Sequence, residues 1–429
     1  MTHISIEEVF GINAHVKSYI EREHVDDLFK MALKSDKQIL VYGASKQGKT
    51  ALVSNYCDYD SNVVFSLTPE TELIDIYRKM LKSAGVSVLT SHSEGQGSQS
   101  SSKARAKILA SFAMFAKIGA DGEISNQNTA NRVAQYEEIP FNINQPQDIS
   151  DLLKKAKDRS VVILENFHYL SYEKQKKFAY DLRSFQELGV RFIILGVWRE
   201  KNRMTQFNGD LLGRVREIPV EPWKKEDFLR IVEKGEKILK IKFSPEIIDK
   251  CVELSFSSVG VFQDLLYEIC TACGIFVCQK EEVLLNDISL MEKITQAKAV
   301  EYGSRHRRSL EAIASMPINN NKNKLYYHIV DILLKEGYEG IKNGMHVDHI
   351  HEQINKRVGG NKVKIRTVKV ALEDIHAIQA KKDINPPTLS YDDNSSLLSV
   401  IDSTMYFFLK NANLEKFRDQ LKDSFETRI

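Results

Sequence analysis

Cysteine is scarce and odd in number. There are five in 429 residues: Cys57, Cys251, Cys270, Cys273 and Cys278. That count excludes a disulfide-stapled scaffold and points to a reducing compartment. Cys270 and Cys273 form a lone C-x-x-C with no second pair at zinc spacing, so they read as packed helix thiols rather than metal ligands. An excess of one charge is also missing. Lys and Arg number 60 against 58 Asp and Glu, a net charge of +2. The chain is not a global polycation, and any nucleic-acid binding needs a local patch. No run of about 18 apolar residues occurs, which excludes a spanning helix. The opening MTHISIEEVF has no signal-peptide core. The expectation is a soluble cytoplasmic protein with no membrane partner. Apolar residues make up 42% of the chain, enough for two or three packed domains.

Against this plain background one stretch stands out, QILVYGASKQGKTALVS at 38–54. It reads as an apolar strand, a tight loop and the first turns of a helix. Its loop is Gly43, Ala44, Ser45, Lys46, Gln47, Gly48, Lys49 and Thr50. It fits G-x-x-x-x-G-K-[ST], the phosphate-binding P-loop. Such a loop curls its backbone N–H groups toward phosphates, and the helix that follows adds the positive end of its dipole. Lys49 then reaches the β- and γ-phosphates, and the Thr50 hydroxyl ligates Mg²⁺.

A second element, SVVILENFHYL at 160–170, is a buried strand ending in Glu165. A carboxylate at such a tip is where P-loop ATPases hold Mg²⁺. The usual pattern is an acidic pair, but here Asn166 stands second. Its amide orients a water and accepts no proton at neutral pH. Slow hydrolysis is the expectation. His168 nearby reads as a packed structural residue. With strands at 62–67 and 191–197 and helices at 72–84 and 172–189, the rhythm predicts an α/β fold, a doubly wound, mainly parallel sheet. An amphipathic helix is predicted over 17–34.

Residues 88–147 break that rhythm. SHSEGQGSQSSS at 91–102 is low-complexity. The stretches 107–118 and 134–143 are predicted to pair as a hairpin about 119–122. The segment is either a partner-contacting hairpin, a mobile flap or a tolerated surface insertion.

The phosphate loop, the strand ending in Glu165 and NGDLLGRVREIPVEP at 208–222 together resemble AAA+/STAND-type P-loop ATPases. The likeness is to origin-recognition and transposition ATPases, some of them bacterial and associated with mobile elements or phage defence. The resemblance implies ATP and Mg²⁺ as ligands, an AAA+-type sheet and a helical lid. It implies that Arg22, before Glu23, begins the segment covering the adenine. The other reading of that pair is an ordinary charged helix face. Arg214 matches the arginine finger that completes a neighbour's site in an oligomer, with Arg216 second. A surface ion pair is the alternative. The polar sensor expected after the strand at 191–197 is missing or displaced to Arg199. Gly260 stands where some lids carry a second sensor arginine.

Residues 223–300 read as the helical lid, and YGSRHRRS at 302–309 opens a linker helix. PINNNKNK at 317–324 marks a boundary. The resulting domains are 1–222 with the insertion at about 88–147, 223–316, and 317–429. Helices at 325–335, 346–356 and 365–379, with a wing at 386–402, suggest a winged helix whose turn is Gly359-Gly360. From 356 to 369 there are six basic residues and no acid. Lys362, Lys364, Arg366 and Lys369 are the candidate DNA contacts. His346, Asp348, His349 and His351 sketch a metal site or simply a His-rich helix start. Two functions follow from the resemblance. One is a slow ATPase switch that forms nucleotide-dependent homo-oligomers and binds DNA. The other is a nucleotide-controlled scaffold that regulates a protein effector such as a nuclease or toxin.

Overall fold

The computed structural model describes residues 4–13, 15–90, 108–113, 136–158, 160–316, 324–358 and 363–426. Strand β1 (Gln38–Gly43) is buried along its whole length. Its side chains alternate between two cores. Ile39 and Val41 face Phe29, Leu52 and Ile163, while Leu40 and Tyr42 face Tyr77, Phe178 and Leu164. That period of two, apolar on both faces, is what a central parallel strand requires. β2 (Val63–Ser66) follows the helix Lys49–Tyr56.

β3 (Val86–Thr90), β4 (Ile108–Ala113) and β5 (Tyr136–Phe141) form a separate antiparallel sheet. Its register runs Val86↔Phe112 and Ile108↔Phe141. The predicted pairing within the insertion is therefore present, with β3 as a third strand. The low-complexity stretch at 91–102 and the turn at 119–122 lie outside the described residues.

β6 (Val162–Glu165), β7 (Phe192–Val197) and β8 (Val215–Pro219) complete the main sheet, in the order β2-β6-β7-β1-β8. All neighbours are parallel. The expected doubly wound α/β sheet is observed. Because every strand runs the same way, the ends of β1, β6 and β7 share one edge, and the phosphate loop opens there.

The predicted helix over 17–34 is shorter than expected. A π-type turn covers Glu23–Asp27 and an α-helix Leu28–Leu33. The cause is Asp26. Its buried carboxylate accepts the Arg22 N–H at 2.8 Å and the Tyr19 and Tyr56 hydroxyls. These bonds hold the preceding residues outside the helix, and Arg22 itself is extended.

The region expected to form a lid contains helices Lys225–Leu239, Pro245–Ser255 and Val259–Ala272. Two short parallel strands, β9 (Ile241–Phe243) and β10 (Val283–Leu285), tie it together. Cys251 and Cys270 are buried in its core. A long helix, Ser289–Ala314, carries Arg305, Arg307 and Arg308 in its interior rather than at its start. The expected boundary at 317–323 lies outside the described residues.

The C-terminal module holds helices Leu325–Ile341, Val347–Val358, Ile365–Glu373 and Ile375–Lys381. β11 (Met345–His346) pairs with a hairpin of β12 (Leu389–Asp392) and β13 (Leu397–Val400). The hairpin falls within the residues expected for a wing. Helices Ser403–Asn411 and Leu414–Glu426 close the chain. The predicted helix over 365–379 is split at Asp374, and the Gly359-Gly360 turn lies outside the described residues. Among the described residues no helix is long and apolar enough to cross a membrane.

Candidate functional site

The phosphate loop leaves β1 at Gly43 and enters the helix Lys49–Tyr56 through Gly48, whose φ of 79° is left-handed. Glycine adopts that angle without cost, so the turn that points backbone donors inward is built in. Lys49 folds back across the loop, donating to the carbonyls of Gly43 at 3.0 Å and Ala44 at 2.6 Å. Burial pushes its ammonium down to about 8, with Glu221 opposing the shift. A phosphate arriving here would favour the charged form and raise that value.

Glu221, not singled out from the sequence, braces the loop from the end of β8. Its carboxylate accepts the Ala44 N–H at 2.9 Å and the Gln47 amide at 2.8 Å, and pairs with Arg199 at 3.4 Å. The only signal in the sequence was an acid directly after an edge strand.

Beside Gly48 lies a cavity lined by Tyr19, Ile20, Arg22, Trp223 and Gly260. Arg22 is buried, with its guanidinium 3.6 Å over the Trp223 ring and donating to the Val220 carbonyl at 2.8 Å. It is thus a wall of this cavity rather than part of an exposed helix face. Gly260 opens the lid helix Val259–Ala272, and its N–H donates to the Lys46 carbonyl at 2.9 Å. A Cβ at Gly260 would fall 2.5 Å from the Lys46 Cβ and 2.8 Å from the Lys46 carbonyl oxygen. The lid approaches the loop backbone to backbone, which leaves no room for a side chain at this position.

The other side of the loop is built differently. Glu165 stands half-buried at the tip of β6 and accepts the Tyr59 hydroxyl at 2.8 Å. Burial, then the Glu165 charge, push the Tyr59 phenol up, so it stays a donor. Asn166 is left-handed, and its amide donates to the Ser66 hydroxyl at the tip of β2, 3.2 Å away. After β7 comes Trp198, buried and stacked on Tyr42, in place of a polar sensor. Arg199 donates to the Tyr406 hydroxyl at 3.1 Å. Among the described residues no group of three or more His, Cys, Asp or Glu forms a metal cage. His349 meets Glu336 at 3.4 Å, while His351 meets the Val363 carbonyl at 2.8 Å. Thr50 and Glu165 supply one hydroxyl and one carboxylate. Such hard oxygen donors fit Mg²⁺, which takes few protein ligands and completes its shell with water and phosphate oxygens.

Arg214 lies at the opposite edge of the sheet. Its carbonyl accepts the Gln38 N–H at the start of β1, and its guanidinium binds Gln186 at 2.8 Å and Glu187 at 3.0 Å. The length of β1, about 16 Å at ~3.3 Å per residue, separates it from its own loop. The structure does not bring it to Lys49 and Glu165.

The C-terminal module reaches the loop itself, which the sequence did not reveal. The Ser45 N–H donates to the Ile401 carbonyl at 2.9 Å. The Ser403 hydroxyl donates to the Ser45 carbonyl at 3.2 Å and accepts from Gln47 at 3.1 Å. Asp402 is buried between them and pairs with Arg305. His306 meets Thr404 at 2.8 Å. Away from this contact, Lys364 and Arg366 are exposed at the start of the helix Ile365–Glu373, and Lys369 is half-buried on it. Lys362 lies outside the described residues. The hairpin tip carries Asp392, Asp393 and Asn394.

No protein-family model matches the chain, and no curated protein matches it by sequence. Among solved structures it is similar to a Walker-type ATPase of Pyrococcus abyssi, at 14% identity and a TM-score of 0.48 over 91% of this chain and 96% of that one. It is similar to the Orc1 protein of Aeropyrum pernix, solved in complex with DNA, at 11% identity and a TM-score of 0.40 over 99% and 98% of the two chains. A STAND protein with a tetratricopeptide repeat sensor from Pyrococcus horikoshii matches at 12% identity and a TM-score of 0.35, over 96% of this chain and 45% of that one. The chain itself has a mixed α/β fold, a five-stranded parallel sheet with the phosphate loop between its central strand β1 and the helix Lys49–Tyr56.

Proposed function

We propose that the protein is an ATP-binding switch with slow ATPase activity. One observation carries this reading: Ser45 and Gln47 of the phosphate loop are hydrogen-bonded to Ile401 and Ser403 of the C-terminal module. A loop that rearranges around phosphates therefore moves the groups that hold the module. In this reading the loop residues 43–50 bind the phosphates and Arg22 closes the adenine side. Thr50 and Glu165 hold Mg²⁺, which would screen the phosphate charge and orient the terminal phosphate. Asn166 holds a water without taking its proton, so turnover is slow.

ATP favours homo-oligomers in which Arg214 reaches a neighbour's site. Leu212 beside it is 77% exposed, which suits a protein-covered surface. The assembly binds DNA through Lys362, Lys364, Arg366 and Lys369 on a winged helix. A second reading is favoured by the acids Asp392 and Asp393 at the wing tip, which repel phosphate. There the module holds a protein effector instead. The test is sizing the protein with ATP, ADP or no nucleotide, each with and without duplex DNA. An ATP-dependent oligomer that captures DNA supports the first reading. An ATP-dependent oligomer indifferent to DNA supports the second, and a size unaffected by nucleotide contradicts the switch.

A further inference from the structure

His168 sits in the turn Phe167–Tyr169, directly after Glu165 and Asn166. The turn is fixed. Phe167 is buried against Phe178 and Trp198. His168 is 6% exposed, and neither ring nitrogen has a hydrogen-bond partner among the described residues. A neutral imidazole always carries one N–H. Burying that donor without an acceptor is costly, and an unsatisfied group of this kind asks for a reason.

The surroundings supply one. Lys49, His376 and Arg203 are the groups whose charge bears on the ring, and none is an anion. Burial, with those three adding, pushes the imidazole down to about 3. A buried donor in positive surroundings, in the turn that follows β6 at the sheet edge where the phosphate loop opens, lacks only an anionic acceptor. The terminal phosphate of a bound nucleotide is an acceptor that Lys49 would itself bring there. After β7, Trp198 is buried and stacked on Tyr42.

We propose that His168 reads the terminal phosphate of the bound nucleotide by donating its ring N–H to a phosphate oxygen, and so distinguishes triphosphate from diphosphate. This rests on the proposed ATP binding at residues 43–50. Of the groups whose charge bears on the ring, His376 lies on the helix Ile375–Lys381 of the C-terminal module.

The test compares affinities for a non-hydrolysable ATP analogue and for ADP, by calorimetry, in the wild type, H168F and H168Q. Phenylalanine fills the space and cannot donate. Glutamine donates from a similar distance. The expected result is that H168F holds ADP within twofold of the wild type and loses about tenfold for the triphosphate, the worth of one charge-assisted hydrogen bond. H168Q should recover most of that loss. An unchanged triphosphate-to-diphosphate ratio in H168F overturns the proposal, as does an equal loss for both nucleotides. Should H168F not fold, the ¹⁵N shifts of the His168 ring in the wild type decide. They should move with the triphosphate analogue and not with ADP, and equal or absent movement overturns the proposal. A wild-type protein that binds neither nucleotide overturns the underlying ATP reading, a failure distinct from an unchanged ratio in a protein that does bind.

Discussion

The two sides of the phosphate loop are built to different standards. On the side of the cavity Arg22 stacks on Trp223, and Gly260 lets the helix Val259–Ala272 lie directly on Lys46. Every group there closes the site. On the other side, in the proposed reading, the hydrolytic apparatus is thinned. Asn166 replaces an acid and spends its amide on Ser66, Trp198 packs inward, and Arg214 sits at the far edge of the sheet. In exchange, the C-terminal module is hydrogen-bonded to the loop. In the proposed reading, the contrast separates binding from hydrolysis. A chain can keep the first, weaken the second, and use the freed side to connect nucleotide to another module.

That contrast is open to attack at four places. The largest effect is expected from K49M. It removes the ammonium that folds back across the loop and should weaken ATP binding by on the order of a hundredfold or more, measured with a fluorescent nucleotide. Next, N166E restores the missing acid. Single-turnover hydrolysis should rise at least tenfold, toward the ~10²–10⁴ range that a positioned base supplies, while ATP affinity stays within a few fold. If N166E gains nothing, hydrolysis is limited by something other than the base.

G260A tests the closed side. Its methyl group must displace the Lys46 backbone, so a cost of about 1–3 kcal/mol in stability is expected, read by denaturant unfolding. An unaltered midpoint would mean that the lid yields freely. The smallest effect is in pH. Lys49 is pushed down to about 8 in the free protein. Phosphate binding favours its charged form and so raises that value. Below pH 8 the ammonium is already present and binding takes up little proton. Above pH 8 binding must protonate it, so affinity should fall by up to about tenfold per pH unit. Calorimetry in buffers of different ionisation enthalpy should then show proton uptake at pH 9 and little at pH 7.

What was legible in the sequence was local. The glycines and lysine of the loop are spaced within eight residues, and β1, β6 and β7 announce themselves as short apolar runs. The sheet follows from those runs and the helices between them. What was not legible is long-range. Glu221 and Gln47 are 174 residues apart, and Gln47 and Ser403 are 356. No spacing rule predicts such pairs. The helix expected over 17–34 failed for a related reason. Its apolar periodicity was real, but Asp26 is bound by Tyr19 and by Tyr56 thirty residues on, and those contacts outweigh propensity. Gly260 was visible as a departure from a pattern, yet its reason, the Lys46 backbone 2.8 Å from an added Cβ, exists only in three dimensions.

The central claim is that the loop holds ATP more readily than it consumes it. The most direct measurement is single-turnover hydrolysis by the lone chain at saturating enzyme with Mg²⁺, alongside the ATP dissociation rate. The account predicts tight binding and a hydrolysis rate below about 1 s⁻¹, under the usual range for enzymes. Hydrolysis by the lone chain at ~10 s⁻¹ or faster would contradict it.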